Sequence, residues 1–148
     1  MSQYIIFELG EEKYAVEVLT VKSIEPLVRT TPVPGTKEFV KGLMNLRGEF
    51  VPVIDARQLL GMEAIEPTKE SRVIVADIDG VVCGLLVDSA TTVIDISDES
   101  IQSTPQMGEG AHNDYLSGVI NLDGSVIAIF NVGEIVKQEA TEATEVAI

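Results

Sequence analysis

The 148-residue chain holds one cysteine, one histidine and no tryptophan, and between residues 73 and 136 it has no lysine or arginine. Each scarcity excludes something. A single cysteine cannot form an internal disulfide, and Cys83 sits in the apolar run VVCGLLV, which suits a buried thiol rather than a reactive thiolate. The lone His112 lies in a polar loop before Asn113-Asp114, where solvent exposure is the simpler reading than catalysis. No Gly-x-Ser-x-Gly elbow, no phosphate-cradling loop ending in Lys-Ser or Lys-Thr, and no His-Glu-x-x-His helix occurs. Long apolar runs are also missing. Asp, Glu or Gly interrupts each one well short of the roughly 20 residues a spanning helix needs. The opening MSQYIIFELG has no basic leader of the secretory kind. A cytoplasmic, non-enzymatic protein without a cofactor is expected.

Acids, by contrast, are plentiful: 24 Asp and Glu against 10 Lys and Arg, a net charge of −14. The excess is uneven. Residues 1–72 carry nine bases and eleven acids, residues 73–136 carry ten acids alone, and residues 137–148 carry one Lys and three Glu. Such a field repels phosphate backbones and anionic lipid, so neither nucleic acid nor membrane insertion is expected. It favours a basic face on a protein partner, although solubility alone also accounts for it. Asp77-x-Asp79-Gly80 and Asp95-x-x-Asp98-Glu99 do not follow the twelve-residue calcium loop. They read as a hairpin turn and as a helix start with acids at the positive end of its dipole, so no metal site is expected.

What the chain does have is a repeat. Residues 39–60, FVKGLMNLRGEFVPVIDARQLL, align without a gap on residues 115–136, YLSGVINLDGSVIAIFNVGEIV, at a constant offset of 76. Gly42/Gly118, Asn45/Asn121, Leu46/Leu122 and Gly48/Gly124 coincide. A constant offset over 22 positions marks a duplicated structural unit, hence two similar lobes. Around the repeat, runs rich in Val, Ile and Phe alternate with turn signals: Gly10-Glu11-Glu12-Lys13, Arg47-Gly48, Asp79-Gly80 and Asp123-Gly124. Many short strands at that spacing predict antiparallel hairpins in sandwiches or barrels. Helices are short and few. Asp55 caps one through Ala56–Leu60 and Asn131 its mate through Ile135, with one or two turns expected at each of Thr36–Lys41 and Ser97–Ile101. Residues 62–72 are expected to carry the transition between lobes, and 104–114 to be a loop. Residues 1–137 are expected to form the domain and 138–148 a disordered acidic tail.

The segments VKSI at 21–24, FVKGLMNLRG at 39–48 and VPVIDAR at 51–57 resemble the CheW family of chemotaxis coupling proteins. The likeness continues through GLLVD at 84–88, VI at 93–94, IQSTP at 101–105 and YLSGV at 115–119, in collinear order over about residues 3 to 137. The length leaves no room for a kinase core, a phosphotransfer domain or a receiver, so the resemblance is to the stand-alone adaptor. It implies a mainly β fold: two SH3-like five-stranded β-barrel lobes around a shared core, with a few short helices. It implies two partners, the cytoplasmic tip of methyl-accepting chemoreceptors and the regulatory domain of the histidine kinase CheA. It also implies recruitment to membrane-associated receptor arrays.

The same resemblance places Val21, Ser23, Ile24, Arg47, Leu86, Ala90 and Val93 at the receptor groove between the lobes. For the apolar ones ordinary core membership is an equal alternative. Arg47 stands where the repeat has Asp123, so the turn itself does not demand a cation. Family members commonly have Glu at the position of Ser23; Glu25, on the same strand face by period-two alternation, is the substitute partner for Arg47. A proline common before the first short helix is replaced by Lys37-Glu38. Asn45, Gly48, Asn121 and Gly124 recur in both lobes and read as turn-shaping, while Asp55 and Asn131 read as helix caps, with Arg57 as an ionic partner for Asp55. The kinase-binding strands are not specified. An adaptor of a pilus-motility or surface-sensing pathway, or a soluble sensor of a small ligand, are the alternatives.

Overall fold

In the computed structural model, which describes residues 1–103 and 115–137, four hairpins close through two-residue loops. They are β1 (Ser2–Leu9) with β2 (Glu12–Glu17), β5 (Val40–Leu46) with β6 (Glu49–Asp55), β7 (Arg72–Ile78) with β8 (Val81–Val87), and β11 (Leu116–Leu122) with β12 (Ser125–Phe130). Three loops put both residues in the left-handed region: Arg47 and Gly48 at φ 51° and 87°, Asp79 and Gly80 at 51° and 85°, Asp123 and Gly124 at 50° and 85°. That geometry matches the right-handed twist of the strands it joins. Asn45 tightens its turn by accepting a hydrogen bond on Oδ1 from the Gly48 N–H at 2.9 Å, and Asp77 does the same for Gly80 at 3.0 Å.

The remaining strands are β3 (Val21–Pro26), β4 (Thr30–Thr31), β9 (Ser89–Ile96) and β10 (Ile101–Ser103). One sheet runs β3-β7-β8-β6-β5-β4 and the other β9-β1-β2-β12-β11-β10. The two orders are one plan used twice, with a single parallel contact in each, β6 on β8 and β12 on β2. Each sheet carries a very short sixth strand, β4 or β10, beyond the five expected. Apolar side chains divide into three clusters. Met44, Val51, Val53, Val73 and Val75 fill the first barrel. Tyr4, Ile6, Ala15, Ile96, Ile120, Ile127 and Ile129 fill the second. The largest cluster lies between the barrels and takes residues from both, including Phe7, Val16, Ile54, Ile74, Leu85, Phe130 and Ile135. There Phe7 stacks on Tyr14, with ring centroids 5.9 Å apart, and meets Phe130 edge-on at 5.0 Å.

The barrels do not coincide with the halves of the repeat. The first barrel takes β3–β6 from the first half and the β7–β8 hairpin from the second; the second takes β9–β12 and, in return, β1–β2. The chain therefore changes barrel at the 3₁₀ turn Val18–Thr20 and again at Asp88. Residues 62–72, expected to carry the transition between lobes, lead from helix α1 (Ala56–Leu59) into β7 and so back into the sheet just left. Thr36–Lys41 forms one tight turn, closed by the Val40 N–H donating to the Lys37 carbonyl at 2.9 Å, and goes no further into a helix. Its Thr36 hydroxyl donates back to the Val33 carbonyl at 2.8 Å, and β5 already begins at Val40. A 3₁₀ turn does form at Asp98–Ser100, with the Ser97 hydroxyl oxygen accepting from the Glu99 N–H.

Gly42 and Gly118 recur for a reason the repeat did not reveal. A Cβ on Gly42, at φ 138°, would lie 2.2 Å from the Thr31 carbonyl oxygen of β4. One on Gly118 would lie 2.7 Å from the Gln102 carbonyl oxygen of β10. Both stand at a register shift where the short strand crosses the hairpin. Bare backbone there lets each sheet curl.

Candidate functional site

Arg47 occupies the first position of a left-handed turn, which elsewhere in this chain is held by aspartate. Asp and Asn tolerate that conformation, whereas a long unbranched side chain pays about 1 kcal/mol for it. Its guanidinium lies over β3, with Nη2 3.4 Å from Glu25 Oε2; the Arg47 side chain is 68% exposed and that of Glu25 19%. Glu25 thus supplies the carboxylate that Ser23 cannot. A second pair, Lys22 Nζ to Glu49 Oε2 at 3.3 Å, spans the same gap. Together the two pairs tie β3, at one end of the sheet order, to the β5–β6 hairpin near the other, so the sheet closes on itself.

The bulge between Val21 and Ser23 sets what β3 presents. Val21, Ser23 and Glu25 lie partly buried, while Lys22, Ile24 and Pro26 are exposed. Val21 packs against the inter-barrel core, and so does Ala90 on β9, the strand equivalent to β3 in the other barrel. These two apolar positions therefore edge the inter-barrel core, one from each barrel. Ile24 (41% exposed) and Val93 (54% exposed) lie on the outer surface of the same two strands. Leu86 does not join them. Its neighbours Leu85 and Val87 face the inter-barrel core, so Leu86 faces inward to the first barrel, beside Val73 and Val75. The Ser23 hydroxyl is buried and has no hydrogen-bond partner.

Two features escaped the sequence reading. Phe50 and Val126, at equivalent places in the repeat, are 69% and 62% exposed. Each stands two residues beyond its turn glycine, a repeated apolar position that was visible in the sequence. The other is Arg57, which does not pair with Asp55. Its Nη2 lies 2.6 Å from Asp88 Oδ2 and its Nε 2.8 Å from Asp88 Oδ1, and the Gly10 N–H donates to Asp88 Oδ2 at 2.7 Å. These bonds clamp the β1–β2 turn, the β8–β9 crossover and α1 together, joining both barrels. The guanidinium hydrogen bonds hold the Asp88 carboxyl below its ordinary range against the opposing effect of burial. The same contact raises Arg57.

The caps form as expected. Asp55 Oδ1 accepts from the Arg57 N–H at 2.9 Å, and Asn131 Oδ1 from the Glu134 N–H at 3.2 Å. Gly124 takes its left-handed place in the fourth hairpin, while Asn121 stands opposite Val126 in the strand register and, among the described residues, makes no turn bond like that of Asn45. Burial pushes the Cys83 thiol up to about 12, so it is no nucleophile. Among the described residues no group of three His, Cys, Asp or Glu could hold a metal, and no helix is long and apolar enough to cross a membrane. His112 lies outside the described residues.

Comparison with known proteins matches residues 3–140 to the model of the CheW-like domain. A chemotaxis protein CheW of Rhizobium meliloti is 33% identical over 141 residues, covering 95% of this chain and 91% of that protein. A solved structure, the scaffolding protein TtCheW from Thermoanaerobacter tengcongensis, superposes with a TM-score of 0.81 at 32% identity, covering 88% of each chain. Protein PilI of Pseudomonas aeruginosa is 34% identical over 82 residues, 55% of this chain and 46% of that protein. With a duplicated barrel, a shared core and this match over nearly its whole length, the chain belongs to the CheW-like domain family of chemotaxis adaptors.

Proposed function

We propose that the chain couples chemoreceptors to the histidine kinase CheA, working in the cytoplasm at receptor arrays and without catalysis of its own. The receptor tip, a helical hairpin, docks along the seam bordered by Val21 and Ala90 and flanked by Ile24 and Val93, with Arg47 at its rim. An amphipathic helix laid on such a seam buries its apolar face and leaves its charges to the edges. The observation that carries this reading is Arg47, an arginine kept in a strained turn position that its own repeat fills with aspartate. Strain of this kind marks sites held for recognition. The kinase regulatory domain takes an exposed edge of one barrel, so a single rigid body holds receptor and kinase in register and a receptor movement biases the kinase between its states. Full-length likeness to chemotaxis adaptors, against a partial one to PilI, favours this pathway over pilus motility.

The test is titration of the protein against a CheA regulatory domain and against a receptor cytoplasmic tip. Arg47→Ala, Ile24→Asp and Val93→Asp change exposed side chains and leave the fold intact. They are expected to weaken receptor binding about tenfold or more while kinase binding stays. Equal loss toward both partners would sink the seam assignment, and a folded protein that binds no CheA regulatory domain would sink the coupling role.

A further inference from the structure

The first barrel contains a cavity of about 440 Å³ between Leu27, which follows β3, strands β4, β5, β6 and β8, and the strap Ala64–Pro67. About half of its wall is apolar, from Leu27, Ala64, Ile65, Pro67 and Leu86, and the rest is polar, from Thr30, Glu66 and one ion pair. Lys41 Nζ lies 3.7 Å from Asp55 Oδ2, with the Asp55 side chain 5% exposed and that of Lys41 32%. Apolar surface on one side of a concave site and converging polar groups on the other suit a small amphipathic molecule.

The fold does not ask for this pair. In the second barrel the equivalents of Lys41 and Asp55 are Ser117 and Asn131. Neutral Asn131 caps its helix with one oxygen, just as Asp55 does with Oδ1. The second Asp55 oxygen, its negative charge and the Lys41 ammonium are therefore surplus to the cap. Burying them costs free energy that only close pairing returns. At 3.7 Å the pair is looser than the roughly 2.8 Å of a charge-assisted hydrogen bond, so each partner keeps capacity for another ion.

We infer that this cavity binds an α-amino acid with an aliphatic side chain as its zwitterion, ammonium on Asp55 and carboxylate on Lys41. The loosely held pair offers one charge of each sign at adjacent points. A zwitterion meets both without adding net charge to an acidic protein, which a simple carboxylate does not. Glu66 adds a second acceptor for the ammonium, and the Thr30 hydroxyl a donor for the carboxylate. The aliphatic side chain lies on Leu27, Ile65 and Leu86. Since Leu86 also packs on the interior of the first barrel, occupancy reaches the barrel that carries Arg47.

The experiment is an NMR titration of the intact protein with L-leucine, run beside leucinamide, which lacks the carboxylate, 4-methylpentanoate, which lacks the ammonium, and glycine, which lacks the side chain. L-Leucine is expected to give saturable shifts at the amides of Thr30, Lys41, Ala64 and Leu86, with each analogue at least about tenfold weaker. Lys41→Gln should bring leucine down to the affinity of leucinamide. Ala64→Trp, which fills the mouth and leaves the ion pair untouched, should abolish binding in a protein with unchanged shifts elsewhere. No saturable response to leucine, a response equal to that of an analogue, or undiminished binding in the folded Ala64→Trp variant would each overturn the assignment. Kinase and receptor play no part in the measurement, so its outcome is separate from that of the coupling role.

Discussion

Replacing Asp88 tests the clamp between the barrels. Its carboxylate takes two short bonds from Arg57 and one from the Gly10 N–H, and the side chains of Arg57 and Asp88 are only 15% and 21% exposed. Removing one partner of a largely buried ion pair costs about 3–5 kcal/mol, because the survivor stays desolvated and unpaired. The residual exposure argues for the lower end, so Asp88→Ala is expected to cost about 3 kcal/mol. For a domain of this size that is on the order of 10 °C in Tm. Asp88→Asn, which keeps an acceptor for Gly10, should cost less, about 2 kcal/mol. Because the folded-state pKa of Asp88 is depressed, its contribution is complete above the unfolded carboxylate value near 4 and is lost as pH falls through the lower folded value. Urea unfolding of wild type and Asp88→Asn from pH 7 to pH 3 should therefore show a gap that is full at neutrality and closes below about pH 4. A gap constant across that range, or under about 0.5 kcal/mol at pH 7, would refute the clamp.

Arg47→Asn relieves about 1 kcal/mol of left-handed strain but leaves Glu25, only 19% exposed, without its cation, so stability in urea titration should stay within about 1 kcal/mol of wild type while receptor binding weakens; a stability loss well beyond that would contradict the strain argument. Gly42→Ala drives a methyl to 2.2 Å from a backbone oxygen and should cost at least about 3 kcal/mol, whereas Gly48→Ala, with open space around it but φ 87°, should cost about 1 kcal/mol. Chemical denaturation that ranks the two the other way would overturn the role given to β4. Cys83 should react with a thiol reagent at pH 8 only as fast as the protein opens, because its thiol is buried and pushed up to about 12; rapid labelling of the native protein would contradict its placement.

Much of the fold was legible because its information is local. Each hairpin is written in a two-residue turn and flanking alternation, and each cap in one Asp or Asn before a short apolar run. Glu25 could be named as the partner of Arg47 because the family resemblance implied a carboxylate at the position of Ser23 and strand alternation put Glu25 on the same face. What was not legible lies between elements distant in the chain. Gly42 and Gly118 coincided in the repeat, yet their cause is a carbonyl of another strand. Asp88 entered only as the last residue of GLLVD in the family likeness; its partner Arg57 lies 31 residues away, and no spacing rule joins them. The assignment of Leu86 to the seam failed for a different reason. Alternation puts Leu85 and Leu86 on opposite faces, but both faces of β8 are covered, so hydropathy cannot tell which looks toward the other barrel.

The exchange of hairpins between the halves explains why these distant contacts carry so much of the structure. A sheet built from one half alone would lack its two middle strands, because β7–β8 and β1–β2 each stand between the first strand of the order and the rest. Every barrel is thus closed by the other half of the chain, and its interior cannot form before the two halves meet. The connections that make the exchange, Val18–Thr20 and Asp88, run beside the inter-barrel core, where Val18, Phe7, Leu9 and Val87 pack. Sliding one barrel over the other would strain both crossovers and expose the largest apolar cluster in the molecule. A duplicated fold joined by a simple linker would leave its lobes free to hinge. Here the interlock makes the angle between them a property of the core, and any groove running along the seam inherits that rigidity.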